Sequence, residues 1–261
     1  MSGDIGWIEV LASLGLVVVA VAISRWKRLN TEGSILWASF RAAVQLVAVG
    51  LLFGLIFESA QAMGWAWVWV VGMTLLSAEV VARRSKSVPR LRLYALAALV
   101  FAVGVTILIL FGLRVFDLEP VTLVVIAGIT LGNTLPATVQ AADTATAEFV
   151  DNRGRVEALL ALGFDAAGAS RMATRSAVRT ALLPQIERTK VIGLIALPGT
   201  MTGMLLAGAE PVSAVLVQLV ITYLVLGSVA MASSLIVTAV GTSAFTKDLR
   251  LADWVRDTTE G

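Results

Sequence analysis

Apolar stretches of about 18 or more residues recur along this chain, and each is long enough to cross roughly 30 Å of hydrocarbon. They run over residues 5–24, 35–57, 65–82, 93–113, 121–142, 191–207 and 212–241. A chain so built has few options, because unpaired backbone groups are costly in lipid and only helices or closed barrels pair them all internally. Runs of this length predict helices, so the expected fold is all-α: a polytopic transmembrane bundle of about seven spans. Composition agrees, since 58% of the 261 residues are hydrophobic and only 15% are charged. A soluble domain carries roughly a quarter charged residues. The N-terminus is acidic and lacks a basic leader region, which predicts an uncleaved first span.

The connections sort by charge. If the N-terminus lies outside, the cytoplasmic pieces carry Arg25, Lys27 and Arg28, then Arg83, Arg84, Lys86, Arg90 and Arg92. They continue with Arg153, Arg155, Arg171, Arg175, Arg179, Arg188 and Lys190, then Lys247, Arg250 and Arg256. That is 18 of the 20 Lys and Arg, with only Arg114 outside and Arg41 within a span. The excess of basic residues on one side predicts an inner-membrane protein with its N-terminus outside and its C-terminus in the cytoplasm. Trp7, Trp65, Trp67 and Trp69 fall near the outer interface and Trp26, Trp37 and Trp254 near the inner one, where amphipathic rings anchor helix ends. No repeat or low-complexity segment divides residues 1–261, and one transmembrane domain is expected.

Several chemistries are excluded. The chain has no Cys and no His, which removes disulfides, thiolate and imidazole metal sites, and any Cys or His nucleophile. It has no G-x-x-x-x-G-K-[ST] phosphate loop, so ATP would have to be hydrolysed by another chain and no cofactor is expected to bind directly. Nothing points to an enzyme or to nucleic acid.

The long polar stretch, residues 143–190, is expected to be a cytoplasmic helical segment. Val156, Leu159, Leu160 and Leu162 form an apolar stripe on a first helix that breaks at Gly163. Asp165 can cap a second helix, because its carboxylate accepts free amides of the first turn. Arg171, Arg175 and Arg179 then fall at i, i+4, i+8 on one face, and Pro184 is expected to kink or end the helix. Helix, sharp turn and helix suit an element that docks in a partner's groove. The basic stripe suits anionic headgroups or an acidic partner face.

The stretch Glu157-Ala158-Leu159-Leu160-Ala161-Leu162-Gly163 resembles the E-A-A-x-x-x-G loop by which ABC-transporter permeases engage their ATPase, with Leu159 at the third position. Three further stretches go with it. They are Arg41-x-x-x-Gln45-Leu46, Leu131-Gly132-Asn133-Thr134, and Leu197-Pro198-Gly199-Thr200-Met201-Thr202-Gly203 followed by Leu206-Ala207-Gly208-Ala209. Together, over about residues 35–245, they resemble the FetB-type iron-export permease family, which also contains the plant aluminium-sensitivity membrane proteins. The resemblance implies a permease, working as a homodimer with a separate ABC ATPase subunit, that exports a metal ion such as iron. It implies that Glu157, Ala158 and Gly163 couple to the ATPase, with Arg171, Arg175 and Arg179 beside them meeting either an acidic face of that ATPase or anionic headgroups. An import permease for another small solute and a non-transporting scaffold remain the alternatives.

Within the spans, Glu79 is a costly intramembrane carboxylate. It either pairs with Arg83 at i+4 or offers a hard ligand to a passing cation. Met201 and Met204, after a Pro-Gly break, are packing residues or soft thioether ligands. Arg41 and Gln45 share a face, and Asn133 and Thr134 sit beside Gly128 and Gly132, a small-residue face that favours close helix contact. All four serve helix packing or line a pathway.

Overall fold

The computed structural model describes residues 6–84 and 88–256; Ile5, Lys86 and the side chain of Trp7 lie outside that description. The described residues form ten helices and no strand. In order they are α1 (Trp7–Lys27), α2 (Glu32–Phe57), α3 (Ala62–Arg84), α4 (Leu91–Gly112) and α5 (Pro120–Asp151). Then follow α6 (Arg153–Ala161), α7 (Ala166–Val191), α8 (Gly199–Leu206), α9 (Pro211–Ser243) and α10 (Asp253–Arg256). Six of them, α1 to α5 and α9, are long and apolar enough to cross a membrane. The chain is thus an all-α polytopic membrane protein.

It divides into two compact units at the start of α3. The first is the α1–α2 hairpin. Arg28 and Asn30 turn it with left-handed backbone. The buried Ser24 locks the turn, its hydroxyl donating to Glu32 Oε1 at 3.0 Å and lying 2.9 Å from Thr31 Oγ1. Arg41 and Gln45 lie on the exposed surface of α2.

The second unit is built around α5, α7 and α9. At one end, Gly241 of α9 meets Phe149 of α5 and Thr174 of α7. At the other, Asn133 of α5 faces Arg188 of α7, with Gln218 and Thr222 of α9 lining the same space. Residue numbers rise in the same direction along α5 and α9 and in the opposite direction along α7. Two co-directed spans require a return path between them, and α7 followed by α8 supplies it.

This corrects the sixth expected span. Residues 191–207 do not form a crossing helix. A helix as short as α8 rises only about 12 Å at 1.5 Å per residue. The ascent instead begins at Ala166, runs through α7 and breaks at residues 192–198, where Gly193 has φ +85°. It resumes as α8 behind Pro198. Pro184 does not end α7, which continues to Val191. Likewise α5 passes through Pro136.

The reason α7 runs beside apolar helices despite its charge is a row of alanines. Ala169, Ala173, Ala177 and Ala181, all buried, recur every fourth residue and let backbones approach closely. Arg171, Arg175 and Arg179 are exposed, so the basic and small-residue stripes occupy different faces.

α5 and α9 have 32 and 33 residues, about 48–50 Å at the helical rise, and so outreach a 30 Å core. Their surplus ends build a second small core. Phe149, Val156, Ala169, Ala173, Ala244, Leu251 and Val255 are buried there, with Leu159, Leu160 and Trp254 packed against them. Trp254 thus joins this core, its indole N–H donating to the Ser243 carbonyl at 3.0 Å, instead of anchoring a helix end.

Candidate functional site

Two places in the second unit carry the chemistry. The first is the tip between α6 and α7. Val156, Leu159 and Leu160 turn inward as the stripe predicts, but Leu162 does not: it is 76% exposed. The backbone explains the switch. Gly163, at φ +88°, follows the last turn of α6; its N–H donates to the Leu160 carbonyl and that of Phe164 to the Leu159 carbonyl, at 3.0 and 3.1 Å. These paired bonds close a helix end in the Schellman manner, which favours glycine at the left-handed position. Asp165 then caps α7, its carboxylate accepting the Gly168 N–H at 2.7 Å. Glycine closure and aspartate cap hold residues 162–165 from both sides. Leu162 and Phe164 stand out as an exposed apolar pair. Glu157, Ala158 and Gly163 are exposed with them.

The tip is tied firmly to the bundle. Glu148 of α5 accepts from Ser176 of α7 at 2.6 Å and from the Asn152 side chain at 3.0 Å. Phe149 meets Phe245 edge to face at 6.1 Å between centroids. These contacts join the tip to α5, to α7 and to the segment that follows α9.

The second place is a cavity of about 300 Å³ at the break between α7 and α8. Its polar wall includes Asn133, Gln185, Arg188, Gln218 and Thr222, with Pro198 at the head of α8. Asn133 lies about 20 Å along α5 from Pro120 at the helical rise, so the cavity sits partway along the helix, and Arg188, Leu197 and Gly199 on its wall are exposed. The Arg188 guanidinium donates to Asn133 Oδ1 at 3.4 Å, while Asn133 Nδ2 donates to the Ile129 carbonyl at 2.8 Å. Gln218 is 7% exposed. Its Nε2 donates to Thr222 Oγ1 at 3.2 Å, and its Oε1 accepts no hydrogen bond among the described residues.

Of the expected pathway residues, only Asn133 belongs to this cavity. Thr134 is buried on another face and donates to the Thr130 carbonyl at 2.9 Å, a packing arrangement. Met201 and Met204 sit half-buried on α8. Glu79 is engaged at both oxygens, by Arg83 at 2.8 Å and by Arg92 of α4 at 3.1 Å. That is the ion-pair arrangement with a second arginine added, and it staples α3 to α4. No group of three or more Asp, Glu, His or Cys able to hold a metal occurs among the described residues. Gln185, Arg188, Gln218 and Thr222 were not singled out by sequence as a site, because they meet only when α7 folds back along α5 and α9.

The described "Uncharacterised protein family (UPF0014)" matches residues 7–245. The rice UPF0014 membrane protein STAR2 is 32% identical over 96% of this chain and 88% of its own length. The probable iron export permease protein FetB of Escherichia coli is 29% identical over 85% of each chain. The Arabidopsis protein ALUMINUM SENSITIVE 3 is 28% identical over 94% of this chain and 90% of its own. No solved structure matches the chain. The motifs of the tip, the cavity helix and the Leu-Pro-Gly break thus belong to a wider likeness that spans nearly every helix, and this chain is a member of the UPF0014 family of multi-pass membrane proteins.

Proposed function

We propose that this chain is the membrane-spanning permease subunit of an ABC-type transporter and draws its energy from ATP hydrolysed by a separate subunit. The observation that carries the reading is the α6–α7 tip. An exposed Leu162–Phe164 pair sits on a backbone fixed by a glycine closure and an aspartate cap. A rigid apolar knob beside an exposed basic stripe fits a groove with an acidic rim. Its attachment through Glu148, Phe149 and Ser176 gives a route by which closure of a partner would tilt α5, α7 and α9.

Two permease copies, each meeting one ATPase, form the working assembly on this reading, in the inner membrane with the N-terminus outside. The cargo class comes from the relative named as an iron export permease, and is a metal ion or metal complex moved outward. The tip is tested with the full chain and a candidate ATPase in one membrane. Leu162→Cys should crosslink to a cysteine placed in the ATPase, and Gly163→Trp should abolish that crosslink at normal expression. Crosslinking that survives Gly163→Trp unchanged would overturn the docking assignment.

A further inference from the structure

We infer that the outward stripe of α7, formed by Leu183, Ile186, Glu187 and Lys190, is the face on which two copies of this chain meet, and that Glu187 and Lys190 of both copies close it as a ring of four charges in mid-membrane. The inference rests on the two-copy assembly proposed above and on neither the ATPase nor the cargo.

Depth sets this stripe apart. The Arg188 guanidinium reaches Asn133, and Thr222 lines the same cavity. Asn133 lies about 20 Å along α5 from Pro120, and Thr222 about 17 Å along α9 from Pro211, at the helical rise. Both distances put this level near the middle of a core of roughly 30 Å, and Glu187 and Lys190 stand within one helical turn of it. Yet both side chains turn away from the fold, Glu187 56% and Lys190 62% exposed. A lysine can reach along its stem toward an interface; a glutamate at this depth cannot. Carboxylates inside spans face protein or water, not lipid.

The pair is also half satisfied. Lys190 Nζ donates to Glu187 Oε1 at 2.7 Å, and no other bond engages either side chain among the described residues. That contact uses one carboxylate oxygen and one of the three ammonium hydrogens. The stripe therefore lacks one cation and one anion in equal number. A single ion from solution would meet one need and leave the other, whereas a second copy of the same pair meets both.

Symmetry makes the match possible. Two copies inserted the same way up are related by a two-fold axis along the membrane normal, and the face they share is self-complementary. Their α7 helices then run in one direction, with residues of equal depth opposed. Leu183, Ile186, Glu187 and Lys190 fall at i, i+3, i+4 and i+7, a single helix stripe. It lies opposite the buried row that ends at Ala181, and Leu183 and Ile186 are exposed. Leu183 would meet its own counterpart near the axis. Glu187 would stand about 4.5 Å of helical rise from Lys190 of a second copy, within reach of both side chains, as on the charged flanks of parallel coiled coils.

The chain has no native Cys, so single cysteines in membranes report the axis directly. Oxidation with copper phenanthroline should link most Leu183→Cys chains, and a smaller share of Ile186→Cys chains, into dimers. Val100→Cys, at an exposed position of α4, should stay monomeric. Charge reversal tests the ring. Glu187→Lys gives copies with two cations in the stripe and Lys190→Glu gives copies with two anions, so neither keeps its own pair. Expressed alone, each should lose capture of a differently tagged copy by about tenfold or more, and expressed together they should associate as the wild type does. Rescue on mixing cannot come from a bond within one copy.

Absence of both disulfides overturns the inference. A water-soluble maleimide that then labels Leu183→Cys would make the stripe the wall of an aqueous passage, and one that does not would make it a lipid face. Charge-reversed copies that reach the membrane together but do not associate overturn it too; if they do not reach it, the cysteine series decides alone. Light scattering of the wild-type chain in micelles keeps the two readings apart. A dimer whose Leu183 and Ile186 cysteines stay unlinked refutes this face and spares the two-copy assembly, whereas a monomer refutes both.

Discussion

Gly241→Ala adds one methyl group where α9 touches α7, and the structure fixes what it meets. A Cβ at Gly241 would lie 2.9 Å from Thr174 Cγ2 and 3.6 Å from Phe149 Cζ. Carbon atoms prefer about 3.5–4.0 Å, so the first contact is a clash and the second is ordinary packing. Thr174 cannot swing away cheaply, because its hydroxyl donates to the Ser170 and Arg171 carbonyls, each at 3.1 Å. Overpacking of this kind costs about 1–3 kcal/mol, offset by roughly 0.5–1 kcal/mol gained on removing glycine from a helix interior. The net expectation is a loss on the order of 1–2 kcal/mol. Thr174→Ser removes Cγ2 and keeps the hydroxyl. In that background Gly241→Ala should become neutral or mildly stabilising. Thermal or dodecyl-sulfate unfolding of the four proteins in one detergent closes the cycle, with an expected coupling of about 1–3 kcal/mol. Equal effects of Gly241→Ala in the two backgrounds would refute the α7–α9 contact, and with it the route from the tip to α9.

Phe149→Ala empties the centre of the core beneath the tip and should cost about 3–5 kcal/mol, read by the same unfolding assay. Glu79→Gln and Arg92→Gln should do similar, mild damage to stability and leave cargo-stimulated turnover intact if Glu79 is a staple between α3 and α4; loss of turnover in Glu79→Gln alone would return it to the pathway. The chain has no native Cys, so single cysteines report topology cleanly. Cysteines at Ala60 and Ala209 should label from outside and those at Asn30 and Ala161 from the cytoplasm. Labelling of Ala209→Cys from the cytoplasmic side would contradict the broken crossing of α7 and α8.

Much of this architecture was legible in the letters of the chain. Hydropathy located the helices that became α1 to α5 and α9, since burial in lipid leaves no other use for such runs. Asp165 and Gly163 announced the tip, because a cap and a left-handed glycine act locally and need no tertiary context. The sixth crossing was misread for a physical reason. Residues 191–207 are apolar, but apolarity does not report whether backbone hydrogen bonds continue, and the Gly193 turn and Pro198 interrupt them. The true ascent was hidden in α7, whose arginines mark it as soluble while its buried alanine row, the overlooked signal, packs it beside α5 and α9. Leu162 likewise followed the apolar period of α6 on paper, yet the helix closes one residue before it could turn inward. Arg188 was counted as a loop charge. Its meeting with Asn133, 55 residues away, and its place on one cavity wall with Gln218, depend on the antiparallel run of α7, which no local pattern encodes.

The proposed role is tested most directly by reconstituting the full chain with its ATPase in liposomes and following ATP-dependent movement of iron across the bilayer. The account predicts transport and cargo-stimulated hydrolysis in the wild type. With Gly163→Trp it predicts loss of both, at unchanged expression and membrane insertion. Full transport by Gly163→Trp, or stimulation that survives it, would contradict the claim that the α6–α7 tip carries the work of hydrolysis into the spans.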